Sequence, residues 1–162
     1  MIAALLACLS IAPAQQDVVP RQWLAIEALD EAGRRPFRPD AIFGACIVEG
    51  QTPDTTRVWR GENGQERRFA TVEASDEGAL PSAFAWAHTS VDSPNERVVM
   101  AQLVGAARGF VNGVPFVGDV YGYGWPGVPV LLKRGTNSIW IAGPRGNASF
   151  RLREVSDEIR LG

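Results

Sequence analysis

The sequence predicts an all-β fold, a β-sandwich or a jelly roll of about eight to ten short strands. Three observations carry it. Apolar runs are only about four to eight residues long, and Gly, Pro, Asn and Asp punctuate them. Seventeen Gly and eleven Pro among 162 residues argue against a helical bundle. Side chains also alternate within runs: Phe69, Thr71 and Glu73 fall on one face of 68–74, and Ala70, Val72 and Ala74 on the other.

Residues 1–14 read as a signal peptide ahead of a single domain over 15–162. The apolar run Ile2–Ala12 is too short for a bilayer span, which needs about 20 residues, and has the length of a signal h-region. Ala12-Pro13-Ala14 offers small residues for cleavage. No Lys or Arg precedes the run, which a start codon placed too far downstream explains. A buried N-terminal helix or strand is the alternative. Leu5-Leu6-Ala7-Cys8 resembles a lipoprotein box but falls early. Cleavage after Ala14 removes Cys8 and leaves Cys46, which reads as a small buried hydrophobe within 41–48. The expected location is therefore exported: periplasmic, cell-surface or secreted.

The elements follow in order. Trp23–Leu29 suits a strand or a short helix, and Asp30–Asp40 is a polar connection whose Pro36 and Pro39 forbid a regular helix. Ala41–Val48 is an apolar run, Thr56–Arg60 a short strand, and Gly61-Glu62-Asn63-Gly64 a turn. Ala83–Val91 is strand-like, with Phe84 and Trp86 on one face and His88 following at period two. Ser93-Pro94-Asn95 turns the chain into a strand over Arg97–Val104, with Val98 and Val99 on opposite faces. Gly109–Asn112 runs into Asn112-Gly113, a tight hairpin turn answered by Val114–Val117. A loop over Gly118–Gly127 precedes a strand over Val128–Lys133, and Gly135-Thr136-Asn137 is the next turn. Ser138–Ala142, a turn at Gly143-Pro144-Arg145-Gly146, and Ser149–Val155 complete the set. The polar end, Asp157–Gly162, reads as an interruption of a longer chain.

Composition excludes several classes of function. A net charge of −2 and a pI of about 5.4 leave no basic footprint for nucleic acid. Fifteen of the sixteen basic residues are Arg, a skew expected of a GC-rich genome, and they are scattered among acids. One His and two Cys make neither a His/Cys zinc site nor a disulfide framework.

From Ala83 to Val155 the order of features resembles the galactose-binding-domain-like jelly roll. Two pieces carry the resemblance. One is the strand ending in Val111-Asn112-Gly113. The other is the turn Val130-Leu131-Leu132-Lys133-Arg134-Gly135-Thr136-Asn137-Ser138-Ile139. Gly113 and Gly135 reach positive φ without steric cost, and Asn112 and Asn137 cap turns through their side chains. The resemblance covers about the last half of the chain. It implies a non-catalytic module of a secreted bacterial protein, of the kind that stands before a hydrolase or peptidase domain. It also implies a structural Ca²⁺, for which Asp76, Glu77, Asp119 and the carbonyls near Gly118 are the candidates, although no D-x-D-x-D-G run is present. No cofactor is otherwise expected.

The aromatic loop is the main candidate site. Tyr121, Tyr123 and Trp125 alternate with Gly122 and Gly124. Aromatic rings stack on the apolar face of a sugar, and Tyr hydroxyls add hydrogen bonds. Asn112 and Asp119 are candidate acceptors beside them. The same aromatics suit a lid over the core, or docking to a neighbouring domain. A hydrolase requires His88 in a cleft with Ser, Thr or Cys46 within hydrogen-bond reach. His88 instead reads as a satisfied strand residue, and no G-x-S-x-G elbow exists. Among Glu27, Asp30, Glu49 and Glu73 nothing singles out a catalytic pair of carboxylates. The expectation is a non-catalytic, carbohydrate-binding accessory module. A structural docking module for a neighbouring domain comes second, and a small hydrolase last.

Overall fold

The computed structural model describes residues 17–29, 40–81 and 84–155. Residues 1–16 with Cys8, the connection over 30–39, residues 82–83 where the expected strand from Ala83 begins, and the end over 156–162 lie outside the described residues. Within them the regular structure is mostly antiparallel β-sheet. The strands are β1 Gln22–Ile26, β2 Trp59–Arg60, β3 Glu66–Arg67, β4 Ala70–Glu73 and β5 Trp86–Ser93. They continue with β6 Arg97–Val111, β7 Val114–Val117, β8 Val128–Leu132 and β9 Gly135–Glu154. One antiparallel sheet runs β4-β1-β5-β9-β6-β7, with β8 also paired to β6, while β2 and β3 form a separate hairpin.

Two features depart from the sequence expectation. The run before Val48 is helical: a π-helix spans Phe43–Val48 and buries Cys46. Asp40 fixes its start, accepting from the Phe43 backbone N–H at 2.8 Å with one oxygen and from Trp86 Nε1 at 2.8 Å with the other. The segments expected as four short strands, 97–104, 109–112, 138–142 and 149–155, are instead two long ones, β6 and β9. The turn expected at 143–146 is absorbed as an irregularity within β9. Its register passes from Val104↔Ser149 to Ala106↔Pro144, so β9 spends five steps where β6 spends two. Gly105 sits at that point with φ +78, and a Cβ there would lie 2.2 Å from the Asn147 carbonyl oxygen.

This irregularity divides both strands into halves. The first half of β9 lies between β5 and the second half of β6. Its second half lies between the first half of β6 and backbone bridges to Val18 and Ala79. Inward residues of both halves share one core, which includes Leu103, Val111, Ile139, Ile141, Phe150 and Leu152. Trp23 of β1 meets Phe150 edge-on at 5.8 Å, closing that core from the far strand.

The opposite face of β1, β5 and β9 carries a second cluster. Trp59, Phe69, Trp86, Phe110 and Trp140 pack there beneath Ile42 and Cys46 of the helical segment. Trp86 and Trp140 meet edge-on at 6.3 Å, and Phe69 meets Trp140 at 6.0 Å. Phe84 precedes β5 and joins the first core, so it does not share the Trp86 face that period-two spacing assigns it.

Gly105→Ala is expected to cost at least about 2 kcal/mol in denaturant unfolding, because strained φ and a backbone clash add. Gly135→Ala has a similar φ of +92 but meets no atom within 4 Å. It is expected to cost less, which separates the clash from the conformational penalty.

Candidate functional site

The aromatic loop follows β7 and is built around one carboxylate. Asp119 is buried at 3% exposure. Its Oδ1 accepts from the Tyr123 backbone N–H at 2.9 Å, and its Oδ2 from those of Gly124 at 2.8 Å and Trp125 at 3.1 Å. Burial pushes this carboxyl upward, but the N–H donors of Tyr123, Trp125, Gly124 and Gly122 outweigh it and hold the pKa below the usual value. Backbone bonds from Asp119 N to Leu103 O and from Gly105 N to Asp119 O pin the loop to β6. Gly122 and Gly124 take φ +68 and +81, which lets so short a segment curl around the carboxylate.

The three aromatic side chains point away from this anchor. Tyr121, Tyr123 and Trp125 are 67%, 74% and 48% exposed. The two Tyr rings lie 5.6 Å apart at 44°. They are therefore no lid over the core. Asp119, expected as an acceptor for a ligand, spends its oxygens on its own loop.

Asn112 lies elsewhere. It holds φ +51 in the β6–β7 turn, and Gly113 follows at +80, the left-handed pair a two-residue hairpin needs. Its amide is also engaged: Nδ2 donates to Asn137 Oδ1 at 2.8 Å, and Oδ1 accepts from the Ser138 N–H at 3.0 Å. Asn137, fully buried, accepts from the Lys133 N–H and donates to the carbonyls of Lys133 and Gly135. The two Asn-containing turns thus form one unit.

Asn112 borders a cleft that sequence reasoning did not foresee. The cavity is about 440 Å³ and lies between the sheet and residues 46–52 at the end of the π-helix. Along β5 this face runs Trp86, His88, Ser90, and along β9 it runs Trp140, Ser138, Thr136. The pairs His88↔Trp140 and Ser90↔Ser138 are in register, so the face passes from aromatic to hydroxyl-bearing residues. Trp140 Nε1 donates to Ser138 Oγ at 3.1 Å, and that hydroxyl lies 3.1 Å from His88 Nε2. The His88 ring packs on Trp140 at 4.5 Å. Burial lowers the His88 pKa to about 4, so the ring is neutral at pH 7. Ser138 was missed because it stands 50 residues from His88. The signal available was its period-two spacing from Trp140.

A serine hydroxyl beside a neutral imidazole is the pairing of a nucleophile and its base. Here Ser138 Oγ also takes the Trp140 N–H, which draws electron density from it. Ser138 is the one hydrogen-bond partner of His88 among the described residues, so no carboxylate among them orients the ring. Cys46 lines the cleft as a thiol, with burial pushing its pKa up to about 11. The Ca²⁺ candidates do not gather: Asp76 pairs with Arg21 at the surface, and Asp119 is occupied as described. Among the described residues no group of three His, Cys, Asp or Glu is placed to hold a metal, and no helix is long and apolar enough to cross a membrane. Comparison of the chain with protein-family models, curated proteins and solved structures finds no match.

Two predictions follow from these geometries. A pKa near 4 in the folded state against 6.5 unfolded means that the unfolded chain binds the proton first as pH falls. Stability is then complete above about pH 6.5 and declines towards pH 4, with about 2 kcal/mol lost between pH 7 and pH 5. Urea unfolding at a series of pH values reads this, and His88→Gln removes that slope. Asp119→Ala should raise amide exchange at Tyr123, Gly124 and Trp125 while leaving β6 protected. Unchanged exchange there would show that the carboxylate does not hold the loop.

Proposed function

We propose that this chain is a non-catalytic binding module of the galactose-binding-like jelly-roll type, and that the Asp119-anchored loop is its contact surface for carbohydrate. The observation that carries this reading is three exposed aromatic side chains on a backbone tied to one buried carboxylate. A preorganised aromatic platform loses little conformational freedom on binding. Its rings suit the apolar faces of sugars, and its Tyr hydroxyls suit their rim. Support for the architecture comes from the left-handed Asn112-Gly113 turn, the Asn137 cap, and a sheet whose long strands contribute to both halves of one core. In this reading the protein is exported and stands beside a hydrolase or peptidase domain.

A second reading, docking onto that neighbouring domain without a soluble ligand, has its own observation. Val98 and Leu131 are direct cross-strand partners on β6 and β8 and are 50% and 48% exposed. Val114 and Val117 of β7 are also exposed, at 68% and 61%. The paired Val98 and Leu131 side chains suit a protein contact better than a sugar, while Val114 and Val117, three residues apart, lie on opposite faces of β7.

Of the five tryptophans, Trp125 alone is exposed, so ligand contact at the loop reports directly in fluorescence. Titration with a glycan panel is expected to give a saturable change for at least one member. Trp125→Ala should weaken that binding roughly tenfold or more, the loss of about 1.5 kcal/mol of stacking. A flat response from folded protein across the panel favours the docking module.

A further inference from the structure

We propose that the cleft beside His88 binds a neutral, polyhydroxylated ligand about the size of one sugar ring, at a site separate from the aromatic loop. The inference does not rest on the loop's role, since none of Tyr121, Tyr123 and Trp125 lines this cavity. At about 440 Å³ the cleft falls within the range of small-molecule sites, roughly 300–1,000 Å³. Its wall presents Glu49 and Gln51 from the segment after the π-helix, and Ser90, Thr136 and Ser138 from the sheet.

The chemistry of that wall selects the ligand. His88 is 7% exposed, and Ser138 satisfies one ring nitrogen, while the other has no partner among the described residues. That nitrogen is not among the fully buried atoms left without a partner, so its hydrogen bond comes from solvent or from a ligand in the cleft that His88 lines. A ligand hydroxyl supplies one in either tautomer, because it both donates and accepts. Glu49 is the only formally charged lining residue once His88 is neutral, and Arg57, which donates to Gln51 Oε1, offsets it, so the wall offers an anion no net attraction and suits hydroxyl groups. The Glu49 carboxylate is already shared with Gln51 Nε2 at 2.9 Å, a polar edge suited to adjacent hydroxyls rather than to a bare cation.

His88 is the only histidine, so its Cε1–H NMR signal is unambiguous. The whole protein is titrated with glucose, galactose and inositol, with glucuronate as the anionic control. A saturable shift of the His88 signal with at least one polyol is expected, together with weaker binding of glucuronate. Trp125→Ala should retain the shift. Ser90→Tyr, which fills the cleft from an exposed position, should abolish it. Glu49→Gln, also at an exposed position, should weaken polyol binding about tenfold and narrow the gap to glucuronate. A flat His88 signal in folded protein with all three polyols overturns the proposal. So does a shift that survives Ser90→Tyr, a shift lost in Trp125→Ala, or tighter binding of glucuronate than of glucose. Loss of fluorescence binding at Trp125 with an intact His88 shift removes the loop reading alone.

Discussion

The pairing of β6 with β9 is the constraint on which the remaining structure depends. Both strands are long, and both place inward residues in the core on either side of the Gly105 irregularity. Neither half of the core can close without the other, because Leu103 and Phe150 lie on one side of the break and Val111 and Ile141 on the other. A pairing of this reach spreads its cost over many non-local contacts that reward the chain only when formed together. The bend needs a residue with positive φ and no side chain, and β9 supplies the three extra residues that take up the slack. Gly105 is thus a positional requirement of the architecture rather than a tolerant loop residue.

A second layer of order comes from carboxamides. Asn112 and Asn137 are legible in the sequence as turn residues, each beside a glycine. Their mutual hydrogen bond is not, since it depends on a register that brings Val111 opposite Ile139. Once it forms, Asn112 Oδ1 also receives the Ser138 N–H, and Ser138 is held where its hydroxyl meets Trp140 and His88. A turn device therefore positions a wall of the cleft. This explains why Asn112, expected beside the aromatic loop, belongs to the other site.

The all-β character and most strand positions were open to sequence reasoning because Gly, Pro and Asn mark strand ends through local physics. The hairpin at Asn112-Gly113 follows from the same local rules, whereas the glycine-flanked aromatics suited a lid over the core as well as an exposed platform, and only the structure places them outside. The union of segments into β6 and β9 was not legible. Gly105 and the 143–146 segment look like chain breaks, and only tertiary pairing turns them into an irregularity within a ladder. The π-helix was hidden for a related reason: an apolar run of this length fits a strand or a buried helical turn equally well. Asp119 shows the limit for the site. Its type and place suit a ligand acceptor, yet nothing local reveals that three backbone N–H groups would claim it first.

The face of β5 and β9 beneath the π-helix shows how one sheet can hold both a core and a site. Trp86 and Trp140 are covered and packed, whereas Ser90 and Thr136, further along the same rows, are exposed. His88 stands at the boundary, buried by Trp140 on one side and bordering the cleft on the other. A cation there would be stripped of water against an aromatic cluster, which is why the ring stays neutral. Neutrality in turn leaves the imidazole free to act as donor and acceptor at once. Hydrophobic packing thus sets the protonation state of the residue that meets the cavity, and the polar character of the cleft is inherited from the core behind it.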